Sequence, residues 1–230
     1  MRHICYWLAK NKTVRFLELL ENRITSLGCE FIGKILMPAN NSGIHTLKLD
    51  HNDIGAEGVR ALVNGISMSK TLNCLSLSYC NIDHNGARPL FELLIYTKSD
   101  LKELDLTGNH LRNEGIPTLM KGIAVNKSLT KITLADNQFG DNDVIMDSIK
   151  FAMTTNTVLG KYDFRYNAIF KNGVEYLTDL LAVATHVFEV DLSERIDQET
   201  LTKFKDQCKA NKPKKGKKGK KGKKGKKKKK

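Results

Sequence analysis

The nine residues LKELDLTGN, Leu101 to Asn109, decide how this chain folds. Leu104 and Leu106 alternate with charged or polar neighbours, so the segment reads as a short strand with one buried face. Asn109 then marks the point where the chain turns away, because a small polar side chain there can bond backbone groups that the strand leaves free. Working outward, the same pattern begins at Val14, Ile44, Leu72, Leu101, Leu129, Leu159 and Val187, at intervals of 30, 28, 29, 28, 30 and 28 residues. The copies read IHTLKLDHN, LNCLSLSYC, LTKITLADN and LGKYDFRYN in four of the other units. After each comes a turn, marked by glycine in IGAEG from Ile54, and then apolar residues at helical spacing, such as Ile116, Leu119 and Ile123. A strand-turn-helix unit of this size cannot bury its apolar face alone, so neighbours must stack. The expected fold is an α/β solenoid, a horseshoe with a parallel sheet on the concave face and helices on the convex face.

Both ends depart from the repeat. ICYWLAKNKT, from Ile4, matches LMKGIAVNKS from Leu119 and is the back half of a helix without its strand, an N-terminal half-repeat that serves as a cap or continues a longer array. Near the other end Arg195 replaces the Asn, and Asp197 is placed to N-cap a last helix with apolar positions Leu201, Phe204 and Cys208. The expected organisation is seven units with their caps over residues 1–211 and a separate segment over 212–230.

That segment changes the electrostatics. The formal charge is +13, yet the 19 residues KPKKGKKGKKGKKGKKKKK from Lys212 hold 14 lysines and no acid, so the rest of the chain is near −1. With like charges, regular glycine and nothing apolar to bury, the segment is expected to be disordered. Lys214, Lys215, Lys217, Lys218, Lys220, Lys221, Lys223 and Lys224 are its candidate polyanion contacts. Acidic tubulin tails, nucleic acid and anionic lipid are the candidate partners. Without interleaved aromatics the lysines carry no base readout, so any nucleic-acid binding is expected to be sequence-independent.

Catalytic and cofactor readings fail on the residues. GCEFIGK, Gly28 to Lys34, nearly fits a phosphate-binding loop, but Ile35 stands where a hydroxyl must meet magnesium. The six histidines show no HExxH spacing, and there is no GxSxG elbow. The five cysteines are scattered without disulfide or zinc spacing and are expected to be buried, reduced thiols. No cofactor, metal or enzymatic activity is expected. The apolar start is too short for a signal peptide, and the run near Leu180 to Val190 is broken by His186 and Glu189, short of the roughly 18–20 apolar residues of a membrane helix. A soluble, intracellular protein follows, in which the sequons at Asn11, Asn40 and Asn126 go unused.

The period of 28–30 residues and the motif NxIGxxG, at Asn52, Ile54, Gly55 and Gly58, resemble the ribonuclease-inhibitor-type leucine-rich repeats over about residues 1 to 208. The resemblance implies the horseshoe fold and a protein-binding concave face. It extends to ciliary and cytoskeletal members, which points to cytoplasm, cytoskeleton or cilium, with microtubules as the acidic surface. It also extends to the Ran GTPase-activating protein, which implies a rival reading as a small-GTPase regulator, although that family has an acidic C-terminal segment and this one is basic. A nuclear or nucleolar nucleic-acid-associated factor is the other alternative.

On the concave face the outward strand positions are Glu18, Lys48, Ser76, Asp105, Thr133, Asp163 and Asp191, with Asp50, Tyr79, Thr107, Asp136, Arg165, Tyr166 and Glu194 just beyond. An acidic stripe studded with aromatics is therefore expected on the C-terminal half. Tyr79, Asp105, Asp136, Asp163, Arg165 and Tyr166 are the candidate protein contacts, since aromatic and Arg side chains most often anchor interfaces.

Overall fold

A computed structural model describes residues 2–9, 11–40, 43–96 and 99–213. Seven three-residue strands, β1 (Phe16–Glu18), β2 (Thr46–Lys48), β3 (Cys74–Ser76), β4 (Glu103–Asp105), β5 (Lys131–Thr133), β6 (Lys161–Asp163) and β7 (Glu189–Asp191), form one sheet in sequence order. All pairs are parallel. Helices α2 (Ser26–Leu36), α3 (Gly55–Ile66), α4 (Ala87–Ile95), α5 (Arg112–Val125), α6 (Asp143–Thr155) and α7 (Lys171–Val183) connect successive strands. Helix α1 (Arg2–Ala9) packs on α2, burying Cys5 and Leu8, and α8 (Gln198–Ala210) closes the other end with Leu201, Phe204 and Cys208 buried. The Asp197 carboxylate accepts from Thr200 N (2.9 Å) and caps α8 as expected.

The register explains why the repeat folds this way. The central residue of each strand pairs with its counterpart, so Leu47, Leu75, Leu104, Ile132, Tyr162 and Val190 stack as one buried ladder. Turn asparagines tie neighbouring repeats where the ladder ends. Asn109 Oδ1 accepts from Cys80 N and Ile82 N of the preceding repeat, while its amide donates to Leu77 O and Leu106 O. Asn52 and Asn167 act likewise. At Cys80 the thiol supplies only a donor, directed at Leu49 O (3.2 Å) and Ser78 O (3.4 Å).

A second asparagine series stands at the opposite edge, after the helices. Asn126 and Asn156 accept from the backbone N–H groups that lead into β5 and β6, and donate to carbonyls one repeat back. Asn126 is thus a buried structural residue. Among the described residues no helix is long and apolar enough to cross a membrane. The segment expected to be disordered falls, from Lys214 on, outside the described residues.

Candidate protein-binding rim

Beyond the first six strands the backbone makes the same left-handed step, beginning with Glu21 (φ 56°) after β1. His51, Tyr79, Gly108, Asp136 and Tyr166 have φ of 57°, 54°, 67°, 51° and 61°. In this conformation the N–H groups of His51, Tyr79, Gly108 and Asp136 reach carbonyls of the next repeat, those of Ser78, Thr107, Ala135 and Arg165. The hydrogen bonding between neighbouring repeats thereby continues to the third residue past the strand. For a residue with a Cβ the step is disfavoured, and strain of this kind concentrates at functional positions. It lines the side chains up along one rim of the concave face.

On that rim Tyr79 stacks on His51, with ring centroids 4.8 Å apart and planes within 6°. Its other side covers Gly108, where a Cβ would stand 2.2 Å from the ring. A glycine is therefore needed at 108 twice over, for its φ and to admit the tyrosine. Three strands further along, roughly 14 Å at ordinary strand spacing, Tyr166 projects freely with 67% of its surface exposed. Sequence reading located both tyrosines but missed His51, because the stack joins residues 28 positions apart.

The acids behave differently from expectation. Asp163 is buried, and Arg165 folds back over it, with Nε 3.0 Å from Oδ1 and Nη2 2.6 Å from Oδ2. The hydrogen bonds and charge of Asp163 hold the guanidinium pKa above its ordinary value. Asp105 spends Oδ1 on Thr107, accepting from N (2.9 Å) and Oγ1 (2.6 Å). Asp50 in the same way accepts from Ser76 Oγ and Ser78 N. These carboxylates close the backbone where strand pairing stops, so much of the stripe's acidity is consumed internally. Asp191 is exposed, yet desolvation first and the neighbouring Asp163 second raise its pKa. Asp136 is half-buried on the rim itself.

Reactive chemistry finds little footing here. Burial pushes the thiols of Cys29 and Cys80 up to about 12, which leaves them protonated and unreactive at neutral pH. Cys5 and Cys208 are buried too, Cys74 is half-buried, and all five are free thiols. Among the described residues no three His, Cys, Asp or Glu side chains are placed to hold a metal.

An in-register parallel sheet, helices on the convex side, asparagine ladders and a left-handed rim together define a leucine-rich-repeat solenoid. The comparisons agree: residues 40–63, 69–91, 97–120 and 125–146 match the family described as Leucine Rich repeat. NACHT, LRR and PYD domains-containing protein 14 of Mus musculus is 28% identical over 138 residues, 60% of this chain and 14% of that protein. Ribonuclease inhibitor of Sus scrofa is 28% identical over 195 residues, 84% of this chain and 42% of the inhibitor. The chain spans less than half the length of either relative. A solved structure of leiomodin-1 actin-binding site 2 aligns over 80% of this chain and 87% of its own, with 12% identity and a TM-score of 0.49.

Proposed function

We propose that the chain is a non-catalytic protein-binding scaffold, with the concave rim taking a protein partner and the lysine-rich segment holding an acidic polymer or surface. The observation that carries this reading is the rim itself, where the backbone adopts a disfavoured conformation at successive repeats and thereby presents Tyr79 and Tyr166. Rigid aromatics contribute large contact area at small entropic cost. Ribonuclease inhibitor, by its name, acts on another protein, and 84% of this chain aligns with it. The 14 lysines from Lys212 onward support a second attachment, to tubulin tails, nucleic acid or anionic lipid. Joining two weak sites raises avidity without new contacts.

The test is partner capture at high salt, where lysine-mediated contacts are screened. A partner retained there is expected to be lost when Tyr79, Arg165 and Tyr166 are all replaced by Ala, with the circular-dichroism spectrum unchanged. If every partner depends instead on residues 212–230, the rim is not a binding surface and the scaffold reading fails.

A further inference from the structure

Because all strands are parallel and in register, the loops entering them share one flat edge of the solenoid, and the loops leaving them share the other. Along the entering edge the repeats are tied backbone to backbone. His45 N donates to Arg15 O (2.7 Å), Asn73 N to His45 O (2.8 Å), Lys102 N to Asn73 O (2.7 Å) and Thr130 N to Lys102 O (2.8 Å).

This edge is basic: Lys12, Arg15, Lys70, Lys102 and Lys127 are exposed along it, against Asp100. Complementing the helix C-termini would account for about one cation per helix. Lys102 stands beyond that reach, seven residues past the end of α4 and one before β4. Exposed aliphatics lie between the cations, with Met68, Ile95, Val125, Val158 and Val183 each at or just after a helix end. On the leaving edge acids outnumber bases, with Asp53, Asp83, Asp136, Asp141 and Glu194 against Arg23, Arg165 and Arg195. A body of formal charge near −1 is therefore polarised between its two flat edges. The Asn211 amide donates to Leu181 O (2.8 Å) and Val187 O (2.9 Å), so the chain leaves the body at the basic edge. Thirteen lysines follow within residues 214–230.

We infer that the basic edge is a seat for an anionic lipid bilayer, against which the solenoid lies flat while the lysine segment engages the same surface. The inference rests on reading that segment as the holder of an acidic surface, and it adds the body of the protein to the contact. Equivalent positions on seven in-register strands lie in one plane about 29 Å long, which matches a flat surface better than a thread. Single-stranded nucleic acid is gripped by cations interleaved with aromatic platforms, whereas aliphatics among lysines suit the boundary between headgroups and acyl chains. The acidic edge faces away from the membrane in this orientation.

The test uses the full chain with Lys70, Lys102 and Lys127 all replaced by Gln, exposed positions at which folding is preserved and verifiable by circular dichroism. Sedimentation with vesicles of phosphatidylcholine plus phosphatidylserine is expected to show binding by the unsubstituted chain and none to phosphatidylcholine alone. Each lysine near the surface contributes roughly fivefold, so the triple variant should bind about a hundredfold more weakly. Equal binding by both proteins overturns the edge and leaves the lysine segment as the sole attachment. If the unsubstituted chain ignores phosphatidylserine but binds polyglutamate or a single-stranded oligonucleotide, the lipid assignment falls and the polyanion reading survives. If it binds none of these, both fall.

Discussion

At the scale of single residues, Tyr162 and His186 carry buried polar atoms without partners. Tyr162 occupies a strand position filled by Leu or Ile in the three preceding repeats, and its ring packs against Phe164 with centroids 5.6 Å apart. Burial drives its hydroxyl pKa upward. The hydroxyl gains nothing and loses its water, so Tyr162→Phe is expected to stabilise the protein by about 1 kcal/mol. A thermal melt should show this as an increase of roughly 2–4 °C, and a lower melting temperature would mean that the hydroxyl has a partner. His186 has its pKa lowered from 6.5 by desolvation. A folded-state pKa below the unfolded one means that the unfolded chain binds the proton more readily. The resulting stability is complete above 6.5 and is lost as pH falls through the interval below it. Melts at about pH 7.5 and about pH 5.5, roughly one unit to either side of the ordinary histidine value, should differ less in His186→Asn than in the parent.

For a single element, the strand register separates neighbours that composition alone would treat alike. Leu104 is buried at the centre of β4, and Leu104→Ala should cost about 2–5 kcal/mol. Asp105 beside it faces the concave side and bonds only Thr107, so Asp105→Ala should cost about 1 kcal/mol in the same denaturation experiment. Equal losses would show that the register is wrong. Helices α2 and α3 meet through Gly33 and Gly65, where a Cβ on Gly65 would lie 1.9 Å from the Gly33 carbonyl oxygen. Backbone cannot yield as a side-chain tip can. Gly65→Ala should therefore destabilise by about 1–3 kcal/mol, through overpacking, despite replacing glycine with a better helix former.

For the whole molecule, charge is divided between a nearly neutral body and a lysine segment, and affinity should divide with it. If about 6 to 10 lysines engage a polyanion, binding should fall by roughly 10³–10⁵ between about 50 and 200 mM salt. Contacts through Tyr79 and Tyr166 should respond far less, because little counterion is released there. A titration of one partner across that range gives the slope directly. Removing residues 212–230 should leave the melting transition in place, and a shift of several degrees would mean that this segment packs on the body.

The sequence by itself determined the fold, because the repeat is written in residues that act locally. Leu47, Leu75 and Leu104 mark the buried strand centres, Asn52, Asn109 and Asn167 mark the turns, and each motif builds its unit from its own nearest neighbours. It also located the exposed rim tyrosines, since the two-residue alternation of a strand says which side chains face outward. Tertiary structure alone decided how those side chains are used. Arg165 buries Asp163, Tyr79 lies between His51 and Gly108, and lysines far apart in the chain gather on one edge. In the stack and the edge, the partners stand about one repeat or more apart. Such contacts exist only once stacking brings equivalent positions to within a strand spacing of about 4.8 Å.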